Sequence, residues 1–131
     1  MIYGTGNDLV ELDRITRSVK NQRFQEHCFS PAERDLYGEK PLQLAGCFAA
    51  KEAFSKALGT GVRGFSLKEI SVLRNDLGKP YFVFTGRILE IMQHEKLAPY
   101  LALTHSGNYV IANVILEVNH ETDHVVRTEK D

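Results

Sequence analysis

Glu52, Lys51 and Lys56 are the residues whose types and spacing most readily do chemistry here. They stand in one stretch rich in alanine and phenylalanine, Gly46-Cys-Phe-Ala-Ala-Lys-Glu-Ala-Phe-Ser-Lys-Ala-Leu-Gly-Thr-Gly61. Glu52 and Lys56 are one helical turn apart and share a face. Ala45, Ala49 and Glu52 share a stripe whose small residues let other backbone come close. An acid on such a stripe is partly enclosed, and an enclosed acid needs a metal or cation partner. A second acid, Asp8, follows the bend Gly4-Thr-Gly6-Asn at the end of a strand. Asp8 and Glu52 could together form an oxygen-only site for a hard cation. Mg²⁺ takes one or two protein carboxylates and completes its octahedron with water and substrate phosphates. The alternative is structural, with Asp8 capping a turn and Glu52 paired with Lys56.

Around these acids stand groups suited to anions. Lys51 and Lys56 flank Glu52 and could hold phosphate charge, or form a solvated face. Gly59, Thr60 and Gly61 offer exposed backbone N–H groups to a phosphate or nucleotide edge. They form no Walker loop, since no Gly-Lys-Ser/Thr follows in register. His105 lies in a predicted hairpin loop between Thr104 and Ser106, where an imidazole can donate to phosphate or serve only as a turn residue. Arg14, Arg17, Lys20 and Arg23 recur every third residue ahead of Phe24. On a helix they form a basic strip that suits an acidic protein partner, or a plain solvated face. His120 and His124 have helical spacing but fall in a polar segment and read as solvated.

These residues must be positioned by a small set of elements. Ile2 to Val10 reads as a strand whose Gly4 and Gly6 allow bends or close backbone approach. Leu12 to Lys20 has helical spacing, and Phe24 to Phe29 continues the apolar signal. Ser30-Pro31-Ala-Glu33 is a helix start with serine as N-cap, proline in the first turn and glutamate three residues on; that helix ends at Gly38. The long helix spans Pro41 to Leu58, with Gly59 as its cap. Phe65 to Leu73 and Tyr81 to Phe84 form a hairpin around Asn75-Asp-Leu-Gly-Lys-Pro80, and Arg87 to Leu97 an amphipathic helix. Tyr100 to Thr104 and Tyr109 to Glu117 form a second hairpin. The expected class is α+β, an antiparallel sheet with a long central helix and shorter helices. Residues 1–117 read as one domain and 118–131 as a polar C-terminal tail.

Bulk properties narrow the partners. The chain has 131 residues, 16 Lys plus Arg against 17 Asp plus Glu, and no field that selects nucleic acid. Its cysteines, Cys28 and Cys47, form no CxxC pair and read as buried reduced thiols rather than a zinc site or disulfide. No apolar run is long enough to span a bilayer and no signal sequence opens the chain, so a cytosolic enzyme or binding domain is expected.

Four segments in order, Gly4 to Ile15, Phe48 to Gly61, Leu77 to Pro80 and Leu103 to Ser106, resemble the short bacterial-type holo-acyl-carrier-protein synthases, which are 4′-phosphopantetheinyl transferases. The resemblance implies transfer of 4′-phosphopantetheine from coenzyme A to a serine of apo acyl carrier protein, releasing adenosine 3′,5′-bisphosphate. It implies that Asp8 and Glu52 ligate Mg²⁺, and that Glu52 or a metal-held water takes the serine proton. Lys56 would neutralise phosphate charge, Gly59 to Gly61 would lie along the nucleotide, and Lys51 and Ser106 would join the coenzyme A contacts. Members of this length are homotrimers with sites between subunits, so His105 would serve the neighbouring chain's coenzyme A. Arg14, Arg17, Arg23, Phe24 and Phe48 would face the carrier protein. Fatty acid, polyketide and peptide carriers all present acidic helices and are not distinguished. The chain departs from the family at Cys47, commonly arginine, and at Asn7, usually apolar. These departures motivate an alternative, a weakened relative that binds coenzyme A or carrier protein without efficient turnover.

Overall fold

The computed structural model of the protein describes residues 1–60 and 63–119. Its elements run β1 (Ile2–Glu11), α1 (Leu12–Ser18), α2 (Gln22–Cys28), α3 (Pro31–Tyr37), α4 (Pro41–Leu58), a 3₁₀ turn (Leu67–Glu69), β2 (Ile70–Arg74), β3 (Pro80–Phe84), α5 (Gly86–His94), β4 (Leu97–Ser106) and β5 (Tyr109–Val118). The α+β class with a long central helix is as expected. The strands divide between two antiparallel sheets, one ordered β1-β5-β4 and the other the β2-β3 hairpin.

The helix α4 packs across the three-stranded sheet, chiefly on β1 and β5. Its Ala45, Ala49, Ala50 and Ala53 are fully buried, and so is Phe54. Alternation on β5 turns Val110, Ala112, Val114 and Leu116 toward α4 and leaves Ile111, Asn113 and Ile115 outside. Phe54 also reaches the second sheet, with ring centroids 5.5 Å from Phe82 and 5.2 Å from Phe84. One aromatic on α4 thus joins the two sheets into a single core.

The close contact of β1 with α4 follows from two glycines. A Cβ on Gly4 would stand 2.0 Å from the Ala57 carbonyl oxygen, and one on Gly6 would stand 2.0 Å from that of Ala53. No side chain fits there, so strand and helix meet backbone to backbone. The reading of Gly4 and Gly6 as permitting close approach is borne out.

Local signals set several boundaries. Ser30 Oγ accepts from Glu33 N while Glu33 Oε1 accepts from Ser30 N, a full capping box at the start of α3. Gly59 caps α4 in the left-handed region at φ 88°. Elsewhere the bounds differ from those expected. The expected helix to Lys20 ends at Ser18, and Asn21 Oδ1 accepts from Arg23 N and Phe24 N to start α2. Arg14 and Arg17 therefore lie on α1 and Arg23 on α2, so the basic strip is not one helix face. The strand expected from Phe65 begins at Ile70, because Ser66 and Glu69 form a capping box around the 3₁₀ turn. The amphipathic helix ends at His94, and β4 starts at Leu97 rather than Tyr100. The tail from residue 120 and its His120 and His124 lie outside the described residues, while Val118 still pairs in β5.

Candidate active site

Asp8 reaches α4 because Gly6 lets β1 touch the helix two residues earlier. Asp8, Glu11, Arg14, Ser18, Phe24, Phe48 and Glu52 line a cleft of about 380 Å³ with Leu9, Val10 and Ile15. The two acids singled out in the sequence are thus brought into one cleft. Burial pushes the Glu52 carboxyl above its ordinary value of 4.5, the Asp8 charge adds to that, and Lys56 opposes it. Lys56 Nζ lies 3.1 Å from Asp8 Oδ1 and donates to the Asn7 carbonyl at 3.0 Å. Its side chain remains 56% exposed, so the ammonium is held at the mouth of the cleft rather than sealed in it.

Arg14 enters the cleft from α1, which is held in place by the β4–β5 turn. Leu12 N donates to the Asn108 carbonyl at 2.7 Å and Asp13 N to Asn108 Oδ1 at 3.0 Å. These bonds satisfy first-turn donors that Glu11, the N-cap, does not reach. Nothing local in the sequence reveals that Asn108, in the β4–β5 turn, caps a helix 95 positions away. Phe24 packs on Phe48 at 5.8 Å between centroids, and both rings form part of the cleft wall. Arg17 is exposed on α1 outside the cleft. Arg23 lies in a neighbouring open hollow with His27 and Lys68.

Lys51 corrects the sequence reading. It is fully buried, donating to Glu33 Oε1 and to the Cys28 carbonyl at 2.7 Å, with its ammonium 5.4 Å from the Phe29 ring centroid. Glu33 Oε2 accepts from Val72 N at 2.8 Å. The adjacent position on a helix points some 100° away from Glu52, which turns Lys51 off the cleft and into the core. A buried ammonium committed to a carboxylate is not free to bind phosphate. Sequence reasoning took Glu33 as a cap alone, and its second partner has no local signal.

His105 and Ser106 are exposed at the end of β4. His105 lines a second cleft, of about 230 Å³, with Leu42, Gln43, Gly46, Arg74, Leu103, Thr104 and Val110. Within one chain His105 therefore does not join Asp8 and Glu52. Gly59 and Thr60 are exposed after α4, and Gly61 lies outside the described residues.

The two departures from the family pattern stay out of the Asp8–Glu52 cleft. Cys47 is buried, its Sγ 3.9 Å from the Val72 carbonyl, and burial drives its thiol well above the usual cysteine range. Burial likewise pushes Cys28 up to about 11, so the expectation of inert buried thiols holds. Asn7 is exposed on the outer face of β1, where a polar side chain is solvated.

Residues 4–114 match the profile of the 4′-phosphopantetheinyl transferase superfamily. The chain is 40% identical over 121 residues to the holo-[acyl-carrier-protein] synthase of Clostridium beijerinckii, covering 89% of this chain and 98% of that one. The solved structure of the Neisseria meningitidis holo-[acyl-carrier-protein] synthase superposes with a TM-score of 0.83 at 36% identity, covering 89% of this chain and 99% of that one. A Bacillus anthracis holo-(acyl-carrier-protein) synthase solved in complex with CoA (3′,5′-ADP) gives a TM-score of 0.77 at 33% identity, covering 91% and 99%. The chain belongs to the holo-acyl-carrier-protein synthases of the 4′-phosphopantetheinyl transferase superfamily, and it is an enzyme of that class.

Proposed function

We propose that this enzyme transfers 4′-phosphopantetheine from coenzyme A to a serine hydroxyl of an apo acyl carrier protein, with Mg²⁺, and releases adenosine 3′,5′-bisphosphate. The observation that carries the reading is the meeting of Asp8 and Glu52 in a cleft walled by Arg14, Phe24 and Phe48. Among the described residues no group of three or more His, Cys, Asp or Glu gathers for a metal. Two carboxylates with a solvent-open side fit Mg²⁺, which keeps room for water and substrate phosphate. When bound, the ion would neutralise diphosphate charge and align the reacting groups.

The chain's own residues then have distinct tasks. Glu52, which lines the cleft beside Asp8, accepts the proton of the carrier serine. The serine oxygen forms a bond to the phosphorus that bears pantetheine, and the bond from that phosphorus to the adenosine-side oxygen breaks. Lys56, more than half exposed, turns from Asp8 to the phosphates and offsets charge on the departing adenosine 3′,5′-bisphosphate. Arg14 faces the acidic surface of the carrier from the cleft rim, with Arg17 and Arg23 outside it as steering charges. Phe24 and Phe48 supply the apolar wall against which the carrier seats. Gly59 to Gly61 border the nucleotide.

The same reading makes the enzyme a homotrimer. The outer face of the β1-β5-β4 sheet exposes Leu9, Ile111, Ile115, Tyr3, Tyr100 and Tyr109, apolar surface that a second copy would cover. His105, separate from Asp8 and Glu52 in its own chain, then serves the neighbour's coenzyme A together with Ser106. No described helix is long and apolar enough to cross a membrane, and the proposed site of action is the cytoplasm.

Purified protein with Mg²⁺ and coenzyme A is expected to add one phosphopantetheine mass to an apo carrier protein. Glu52→Gln should lower the rate by about 10³-fold. Absence of labelling across fatty acid, polyketide and peptide carriers would overturn the reading. Chelation of Mg²⁺ without loss of rate would overturn its metal part.

A further inference from the structure

Arg14 is the cation that α1 brings to the Asp8–Glu52 cleft, and it is exposed, with no ion pair to a carboxylate among the described residues. Its direction therefore depends on how α1 itself is held. That helix has only 7 residues, too few to be stable through its own hydrogen bonds. Ile15 and the C-cap Val19 are buried and anchor its far half. The first turn is held more lightly, since Glu11 makes no side-chain cap, Asp13 and Arg14 are exposed and Leu12 is only half-buried. Asn108 supplies what is missing, its carbonyl accepting from Leu12 N at 2.7 Å and its Oδ1 from Asp13 N at 3.0 Å. It is a rigid post. Asn108 follows Gly107, at φ 57°, in a two-residue turn. Beyond it β5 is the middle strand, with Tyr109 paired to Glu11 on one side and to Ser106 on the other. The main-chain bond to Leu12 continues the β1–β5 ladder and does not depend on the side chain. The bond to Asp13 N is particular to Asn108.

We propose that Asn108 is a positioning residue for carrier recognition: by fixing the first turn of α1, its Oδ1 sets the direction in which Arg14 meets the acidic surface of the apo carrier protein. The inference rests on the carrier-protein reading and deepens it. A guanidinium meets a carboxylate best through two parallel hydrogen bonds, which demand a defined approach. A helix end held before the partner arrives loses less freedom on docking, and the complex is tighter for it. Asn108 lines neither the Asp8–Glu52 cleft nor the His105 cleft, so it acts through α1. The carrier side of the reaction feels this contact and the coenzyme A side does not.

Transfer would be measured, varying each substrate in turn, for the wild type, Asn108→Ala, Asn108→Asp, Arg14→Ala and the double variant Asn108→Ala/Arg14→Ala. Asn108→Ala keeps the ladder bond and removes only the side-chain acceptor. It should raise the KM for the carrier about fivefold, the scale of a lost helix cap, with kcat and the KM for coenzyme A within about twofold of the wild type. Asn108→Asp keeps an acceptor oxygen, now charged beside the positive end of α1, and should stay within about twofold of the wild type throughout. Because Asn108 acts through Arg14, the double variant should transfer no worse than Arg14→Ala alone. Equal rises in both KM values, a fall in kcat instead, or additive losses in the double variant would make Asn108 a general stabiliser and overturn the assignment. So would an unchanged carrier KM in Asn108→Ala, or an Asn108→Asp variant as impaired as Asn108→Ala. A wild-type carrier KM in Arg14→Ala overturns the role of Arg14 and this inference with it, while transfer by the wild type leaves the function intact. A wild type that labels no apo carrier overturns the reading beneath both.

Discussion

Two lysines five residues apart on α4 each meet a carboxylate, and the two pairs have opposite characters. Lys51 and Glu33 are 0% exposed and every partner is protein. Lys56 and Asp8 are 56% and 17% exposed, and the pair faces an open cleft. The buried pair links α3, α4 and β2 through Glu33 bonds to Ser30 N and Val72 N, with Ser30 Oγ 2.6 Å from Ser71 Oγ alongside. Its charges have no other place to go, so it specifies how the helices pack. The open pair is screened by water and costs little to separate, as the proposed roles of both groups require. Identical chemistry is locked into architecture in one place and left open to solvent in the other, and burial decides which.

Breaking the buried pair should give the largest effect. Lys51→Met leaves Glu33 uncompensated and is expected to cost about 3–5 kcal/mol of unfolding free energy, measured by urea denaturation. The double variant Lys51→Met/Glu33→Gln should recover part of that, because the amide oxygen still accepts a backbone N–H. A Lys51 variant of wild-type stability with slowed transfer would instead return Lys51 to the active site.

The strand contact that brings Asp8 to Glu52 comes next. Gly6→Ala places a methyl 2.0 Å from the Ala53 carbonyl oxygen, and a loss of about 3 kcal/mol is expected with a weaker Mg²⁺ response. Gly46→Ala meets only Leu103 Cδ1 at 3.4 Å and should cost under about 1 kcal/mol. Equal effects at the two glycines would refute the backbone-contact argument.

The open pair should respond in rate and not in stability. Lys56→Ala is expected to change unfolding free energy by less than about 1 kcal/mol while slowing transfer about 100-fold. Comparable losses in Lys51→Met and Lys56→Ala by both measures would erase the contrast between the pairs.

The smallest effect is in titration. Burial and Asp8 raise the Glu52 carboxyl, so the folded metal-free protein binds this proton more tightly than the unfolded chain. Stability should therefore fall as pH rises from 4.5 through the raised value, and level off above it. Asp8→Asn removes one cause and should reduce the fall. Lys56→Ala removes the opposing charge and should enlarge it. Carboxyl NMR of Glu52 in the three proteins reads the same order directly, and an unshifted Glu52 in the wild type would contradict it.

Much of the frame was legible in the sequence because its signals are local. The capping box at Ser30 and Glu33, the proline and glycine bounds of α4 and the alternation of β5 each depend on residues within a few positions. Asp8 and Glu52 were legible as a pair through carboxylate chemistry and family pattern, and Gly4 and Gly6 through their missing side chains. Local signals failed where a distant partner decides. The extended run from Phe65 yields to a 3₁₀ turn because Glu69 also accepts from Ile88 N and holds the start of α5. The basic residues of the N-terminal third fall on two helices because Asn21 caps a new one, a local signal that the run of basic residues masks.

What the sequence determined alone is therefore the set of elements with their own start and stop signals, the small-residue stripe that permits close packing, and the acids suited to a hard cation. Only the tertiary structure decided which lysine is buried and which is solvent-exposed, since neighbouring helix positions point to different environments and burial cannot be read from residue type. The tertiary structure also separated His105 from Asp8 and Glu52 and gave it Arg74 as a companion, because strand pairing and helix packing, not spacing in the chain, set what shares a cleft.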